Sequence, residues 1–192
     1  MRRGFKAEAK RLALELRAEI GITAQDPFDP WALAELYGID VYQLGDSDCP
    51  AEALRHFTIE RPEVFSGALV PLETGAVIIE NDAHQPVRRR STTCHEMAHV
   101  ILEHRFAATL VNEHGCRLAD RDQEAEATEL AGEMLLPFSA ATILARRKKS
   151  NEEASLQYAI SVECARWRLD STGARLIAER QAQAYRRSRS FR

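Results

Sequence analysis

The segment TTCHEMAHVILEH, residues 92–104, constrains the fold more than any other part of the chain. It places His95, Glu96 and His99 in the pattern H-E-x-x-H within a largely apolar stretch. On an α-helix, positions i and i+4 lie one turn apart on the same face, so both imidazoles can point at one metal ion. Neutral imidazole is a good zinc ligand. The pattern therefore predicts a helix that carries two metal ligands and that needs another element to complete the site.

Glu96 directly follows the first histidine of this pattern. From that position a carboxylate can take a proton from an attacking water and later pass one to a leaving amine, without binding the metal itself. This is the chemistry of peptide-bond hydrolysis. The pattern is short, and its other interpretation is an amphipathic helix with two exposed histidines. That interpretation is weakened because His95 and His99 flank small or apolar residues.

A catalytic zinc ion usually has three protein ligands, so a third side chain must come from elsewhere. His104 lies five residues after His99. On a continuing helix it would point about 140° away from His99, because successive residues are about 100° apart. We therefore interpret His104 as a residue of the helix C-terminus or as a packing group.

The better source of the third ligand is the helix predicted from RDQEAEATELAGEMLLP, which offers Glu124 and Glu126. Glu124 shares a helix face with Ala127, Thr128, Ala131 and Leu135, which predicts an inward position. Glu126 shares a mostly acidic face with Glu129, Leu130 and Glu133, which predicts an outward position. We expect Glu124 to be the ligand, with Glu126 as the alternative and Thr128 as a hydrogen-bond partner of a ligand histidine. Zn²⁺ is the expected ion, but manganese and iron stay open because this ligand set accepts several metals.

Short strands precede the motif and helices follow it, which predicts an α+β fold with a small antiparallel sheet packed on helices. One strand is expected to begin at 39–41, and three more are expected at 57–59, 65–70 and 76–80. A loop is expected at 46–54. The helices are expected up to Gly21 and at 30–38, 89 or 92–104, 121–136, 138–148, 153–159, 161–169 and 171–184. The KKSNEE stretch predicts a boundary between a main domain at 1–148 and a C-terminal helical region with a basic tail at 149–192.

Composition narrows the class of protein. With 45% hydrophobic and 29% charged residues, the 192-residue chain is typical of a folded globular protein. Its net charge of −3 gives no reason to expect nucleic-acid binding by the whole surface. The four cysteines form no C-x-x-C pair, and we interpret them as free thiols. The charged N-terminus is unlike a signal peptide and no apolar run is long enough for a membrane span, so we expect a cytoplasmic location.

The C-terminal stretch SLQYAISVECARWRLDSTGARL predicts two short helices joined by a tight turn, with Ser161 capping the second. This arrangement is similar to a helix-turn-helix, in which Arg166, Arg168 and Arg175 could meet phosphates. We favour packing and the docking of a protein substrate, because the overall charge is slightly acidic. DNA binding stays a possible but less favoured interpretation, and the basic tail at 186–192 is interpreted as a solvated end.

The ordered motifs FDPWALAELYGIDV, FSGALV…GAVIIEND, RRRSTTCHEMAHVILEH and QEAEATELAGEMLLP together resemble the ImmA/IrrE family of metallo-endopeptidases over about residues 28–138. The resemblance implies a zincin-like metallopeptidase domain, with His95, His99 and Glu124 as zinc ligands and Glu96 as the catalytic acid and base. It also implies cleavage of a helix-turn-helix transcriptional repressor, which releases stress or mobile-element genes. The alternative is a regulatory protein with a structural or degenerate metal site that acts by binding protein or DNA.

The chain departs from the family pattern at Cys94, where alanine is common. A thiol next to a ligand could sense oxidation, but we favour the interpretation of a small buried hydrophobic residue.

Overall fold

The structure is a computed structural model that describes residues 1–104 and 120–189. Its α-helices are α1 (Phe5–Glu19), α2 (Pro30–Leu36), α3 (Ala51–Arg55), α4 (Pro86–Ile101), α5 (Arg121–Leu135), α6 (Phe138–Arg146), α7 (Asn151–Tyr158), α8 (Val162–Ser171) and α9 (Ala174–Arg189). Its strands are β1 (Asp40–Gln43), β2 (Gly67–Leu72) and β3 (Gly75–Glu80). Cys116 and residues 190–192 of the basic tail lie outside the described residues. The predicted α+β class is confirmed.

The three strands form one sheet with β3 in the centre. β2 and β3 pair antiparallel across a tight turn at residues 73–74, with Leu69 opposite Ile78. β1 pairs parallel to β3, with Val41 opposite Ile78, so the sheet is mixed and the expectation of a purely antiparallel sheet is wrong. Parallel neighbours need a long crossover connection, and the chain from β1 through α3 and β2 supplies it.

The strand predicted at 57–59 is also wrong. The loop expected at 46–54 contains the start of α3, and a π-helical turn, His56–Glu60, continues that helix. The Phe57 ring packs on the Phe65 ring with centroids 5.7 Å apart, and the Phe57 carbonyl accepts a hydrogen bond of 2.8 Å from the buried amide of Asn81. These tertiary contacts hold the segment in place without a neighbouring strand. The alternation of three side chains in the sequence could not indicate them.

Helix α4 begins earlier and ends earlier than predicted. It starts at Pro86, where the fixed φ of proline suits the first helical turn. It ends at Ile101 because Glu103 adopts a left-handed conformation with φ 50°. The Glu103 and His104 N–H groups then donate to the carbonyls of Val100 (3.0 Å) and His99 (3.1 Å), which closes the helix and turns the chain back on itself.

Helix α5 packs against both α4 and α1 and forms much of the core. Its buried residues include Ala127, Leu130, Ala131 and Met134. Arg17 of α1 is fully buried and its guanidinium donates to the carbonyls of Thr23 and Met134. Burial lowers the pKa of Arg17, and backbone carbonyls rather than a carboxylate hold its charge. These contacts fix how α1 lies on α5.

The acidic face of α5 points inward, which corrects the outward orientation predicted for Glu126, Glu129 and Glu133. Glu126 and Glu133 are buried, with 5% and 1% of their surface exposed. Each of the three carboxylates meets a cation from another element: Arg2 with Glu126, Lys6 with Glu129, and Arg168 with Glu133 and Glu129. Charge on a helix face indicates exposure only when no partner helix supplies the opposite charge.

The C-terminal helices follow the predicted pattern. Ser161 accepts the Cys164 N–H at 3.0 Å at the start of α8, as expected. Ser150 and Glu153 form a capping box that starts α7 at Asn151, two residues earlier than predicted. Arg168 is buried, and Arg175 forms an exposed ion pair with Asp170. The boundary at 148/149 stays a prediction. Among the described residues, none of the helices is long and apolar enough to span a bilayer.

Replacing Arg168 by alanine tests the buried ion pair. The Glu133 carboxylate lies 2.6 Å from Arg168, and both side chains are 1% exposed, so the variant leaves a buried charge without its main partner. We expect the free energy of unfolding to fall by about 3–5 kcal/mol, measured by urea denaturation. The control is Lys149→Ala, which breaks the exposed pair with Glu153 and should cost at most about 1 kcal/mol. Equal losses in the two variants would contradict a special role for the buried pair.

Candidate metal centre

Helix α4 presents His95, Glu96 and His99 because its opposite side is fixed in the core. Met97 and Ala98 are fully buried, which sets the rotation of the helix and leaves the histidines on the side that faces the start of α5. His99 is 4% exposed as a residue, whereas His95 is partly accessible. The motif helix therefore carries both histidines on one side and buried apolar residues on another.

A buried carboxylate of the sheet anchors α4. It contacts the helix at Thr93, two residues before the first histidine. Glu80, at the end of β3, accepts hydrogen bonds from the Thr93 hydroxyl (2.8 Å), the Arg89 Nε (3.1 Å) and the Trp31 indole (3.3 Å). These contacts join β3, α2 and α4. Sequence reasoning missed Glu80, which only ended a predicted strand.

The three predicted ligands meet at one point. The Nε2 atoms of His95 and His99 are 3.1 Å apart. Glu124 of α5 places Oε2 3.2 Å from His95 Nε2 and Oε1 3.5 Å from His99 Nε2. One ligand atom from each residue lies within 4.8 Å of the others, and among the described residues this is the group of histidine, cysteine and acidic side chains with that property.

These distances and atom types fit a zinc ion. Zinc bonds to nitrogen and oxygen are about 2.1 Å long, so ligand atoms around one four-coordinate ion lie about 3.4 Å apart. The observed separations of 3.1, 3.2 and 3.5 Å lie close to this value. Two imidazoles and one carboxylate also form the ligand set of many catalytic zinc sites, which keep a further position for water or substrate. The three residues can hold such an ion.

Glu96 follows His95 in α4, and its carboxylate is held by the sheet. Its Oε2 accepts a hydrogen bond of 3.1 Å from the backbone N–H of Leu69 in β2. Only 9% of the residue is exposed. The carboxylate is therefore oriented by the sheet, which suits a group that moves protons next to a metal without binding it.

The centre is open on the side of Glu124. The Glu124 side chain is 45% exposed and that of His95 is 28% exposed, whereas that of His99 is 5% exposed. A peptide can approach the centre from the side of Glu124 and His95, whereas His99 is buried inside the protein.

Glu126, the alternative ligand, is occupied by the N-terminal segment. It accepts the Arg2 backbone N–H at 2.7 Å and the Arg2 Nε at 3.0 Å. Burial pushes the pKa of Glu126 up, but the hydrogen bonds and charge of Arg2 outweigh this effect and the pKa is lowered. The structure places Glu124, not Glu126, against the two imidazoles.

His104 lies against His99, which sequence reasoning missed. The Nδ1 atoms of the two rings are 2.9 Å apart, and the ring centroids are 4.9 Å apart. Burial lowers the pKa of His104, although the nearby Glu126 opposes this shift. The predicted angle of 140° assumed that the helix continues. The left-handed conformation of Glu103 ends it, and no glycine in the sequence indicated that turn.

Cys94 and Thr128 lie close in sequence to the residues of the centre, on α4 and α5. Cys94 is fully buried, its thiol lies 3.6 Å from the Ala131 carbonyl, and burial raises its pKa well above the usual range, so it packs as a small hydrophobic residue. Thr128 is exposed on α5, so the inward position predicted for it is wrong.

Comparison with protein families identifies a match. Residues 35–170 match Peptidase_M78, the IrrE N-terminal-like domain. The matched range covers most of the chain, includes His95, Glu96, His99 and Glu124, and runs across the predicted boundary at 148/149. A comparison with curated proteins gave no match.

Metal binding should stabilise the folded protein. An ion that binds only the folded state at 100 times its dissociation constant adds about 2.7 kcal/mol. We expect Zn²⁺ to raise the unfolding temperature of the metal-free protein, and His99→Ala or Glu124→Ala to remove this rise. The measurement is calorimetry of each variant with and without Zn²⁺. The control is His56→Ala, whose ring is 42% exposed and lies outside the centre, and which should keep the full rise. A rise that survives in all the variants would place the ion elsewhere.

Proposed function

The chain belongs to the IrrE N-terminal-like family of metallopeptidases, of the ImmA/IrrE type, and from this premise we propose that it is a zinc-dependent endopeptidase that cleaves a helix-turn-helix transcriptional repressor. The observation that carries the proposal is the convergence of two α4 imidazoles and one α5 carboxylate, with Glu96 held beside them. A helix with two unrelated surface histidines would not require a carboxylate from another helix at this position.

In the proposed mechanism, His95, His99 and Glu124 would hold the ion. When bound, Zn²⁺ supplies Lewis acidity, which polarises a peptide carbonyl and makes water more acidic. Glu96 acts as the general base that takes a proton from the attacking water, and then as the general acid that passes a proton to the leaving amine. The Leu69 N–H keeps one oxygen of this carboxylate in place throughout.

Several features of the site support peptide hydrolysis at this centre. The half-exposed Glu124 and the partly exposed His95 give a protein segment access, whereas the buried His99 and the Leu69–Glu96 hydrogen bond keep the opposite side rigid. Rigid placement of the reacting groups is what a catalytic site requires. The ligand set also accepts manganese or iron, so the choice of zinc as the bound metal is itself a proposal.

The proposal that the substrate is a repressor comes from the resemblance to the family. A protein substrate also agrees with the C-terminal helices better than DNA does. Of the three arginines that could meet phosphates, Arg168 is buried in the pair with Glu133 and Arg175 is paired with Asp170. Cleavage of the repressor would release its target genes, during stress or induction of a mobile element, and would take place in the cytoplasm.

The Glu96→Gln variant tests the mechanism. Glutamine keeps the size of the side chain and an oxygen for the Leu69 N–H, but it cannot take up a proton. We expect cleavage to slow by about 100-fold to 10,000-fold while Zn²⁺ binding persists. The measurement is the rate at which the purified chain cuts a purified helix-turn-helix repressor from the same organism, followed by electrophoresis and mass spectrometry.

Two controls accompany this experiment. A chelator should stop cleavage by the parent protein, and added Zn²⁺ should restore it. Glu63→Gln changes the same charge at an exposed position of a short turn, away from the centre, and should cleave at the parent rate. If the Glu96→Gln variant cuts the repressor at the parent rate, the role assigned to Glu96 is contradicted. Cleavage that persists in the presence of the chelator contradicts the metal mechanism.

A further inference from the structure

A row of side chains leads from the ligand His99 into the protein. His104 touches His99, Glu126 lies beyond His104, and Arg2 holds Glu126. We propose that His104 and Glu126 are positioning residues that fix the ring orientation and the tautomer of His99. This inference rests on the metal site proposed above and assigns a role to two residues that bind no metal themselves.

The contact between the two rings sets where the hydrogen of His99 must lie. His99 directs Nε2 at His95 and Glu124, and directs Nδ1 at Nδ1 of His104, 2.9 Å away. A neutral imidazole has one N–H and one lone pair. When Nε2 offers its lone pair to a metal ion, the hydrogen of His99 is on Nδ1 and is donated to His104. A ligand histidine usually donates its other N–H in this way, which fixes the ring and raises its basicity.

Glu126 favours the matching tautomer of His104. If His104 accepts at Nδ1, its own hydrogen is on Nε2, which lies 3.8 Å from Oε2 of Glu126. This distance is longer than a direct hydrogen bond, so the carboxylate favours that tautomer through its charge. Both side chains are only 7% exposed, and the low polarity of their surroundings strengthens the attraction.

Arg2 keeps the Glu126 carboxylate charged and in place. Its backbone N–H and its Nε both donate to Oε1, at 2.7 and 3.0 Å, and Nε also lies 3.1 Å from Oε2. The carboxylate that faces His104 is therefore held by two groups of one residue. The order of contacts runs from Arg2 through Glu126 and His104 to His99.

The backbone at the end of α4 makes this arrangement possible. Glu103 has φ 50°, a conformation that L-residues rarely adopt, and the turn that it forms brings His104 back onto His99. A helix that continued for one more turn would direct His104 away from the centre. Strained backbone next to a functional site is typical of residues that a site needs in one position.

The test measures Zn²⁺ affinity of the full chain by competition with a chromogenic chelator. We expect His104→Phe to weaken binding by about 10-fold to 100-fold, the range found for partners of ligand residues. His104→Gln should retain most of the affinity, because its amide can accept from His99 and donate towards Glu126. Glu126→Gln should weaken binding, whereas Glu129→Gln, the same change on the same helix with contacts to Lys6 and Arg168, should not.

A spectroscopic signature separates positioning from general stability. In the Zn²⁺-loaded parent, the Nδ1 hydrogen of His99 should give a proton signal that exchanges slowly with water, and this signal should be lost in His104→Phe and kept in His104→Gln. Should His104→Phe fail to fold, the comparison of Glu126→Gln with Glu129→Gln decides the question.

Two negative results have different meanings. A parent chain that binds no Zn²⁺ through His95 and His99 would overturn the metal centre, and the positioning role with it. A parent that binds Zn²⁺ while His104→Phe and Glu126→Gln bind it equally well would overturn the positioning role alone.

Discussion

The packing of α5 on α4 is the contact on which the rest of the structure depends. Small side chains line it: Cys94 and Ala98 on α4, and Ala127 and Ala131 on α5, all buried. The Cys94 sulfur approaches the Ala131 carbonyl at 3.6 Å, which shows how little side-chain volume separates the helices. Larger residues at these positions would move Glu124 away from the imidazoles, because the two helices would have to separate to accommodate them.

Buried charges set the rotation of α5 within this contact. Hydrophobic packing is not directional, whereas a buried carboxylate must meet a partner at a defined place. Glu133 meets Arg168 of α8, and Glu126 meets Arg2 at the N-terminus. With these residues fixed on one side of the helix, Glu124 is directed to the motif histidines and Thr128 to solvent. The acidic face is therefore part of the framework of the metal centre.

Polar contacts also position the residues of the centre itself. The groups proposed to bind metal and move protons are few, and several contacts outside the ligand set hold two of them and their helix in place. Leu69 in β2 holds Glu96, and Glu80 in β3 anchors the helix through Thr93. His104 contacts His99 from the turn that follows α4. The small sheet thus serves to orient the motif helix, and the polar contacts restrict it more sharply than packing alone.

The sequence by itself determined the elements whose signals are local. The i, i+4 spacing on an apolar helix gave the shared face of His95 and His99, and the cap residue Ser161 marked a helix start. Glu124 meets the two imidazoles as expected, but its side chain is 45% exposed and Thr128, on the same predicted inward face, points to solvent. Only the tertiary structure decided the parallel pairing of β1, the turn at 56–60, the inward acidic face of α5 and the contact of His104 with His99. Each of these depends on a partner distant in sequence or on a backbone conformation that no residue type announces. Periodicity describes how a segment divides its own faces, but it does not say which charge or strand another segment will bring to meet it.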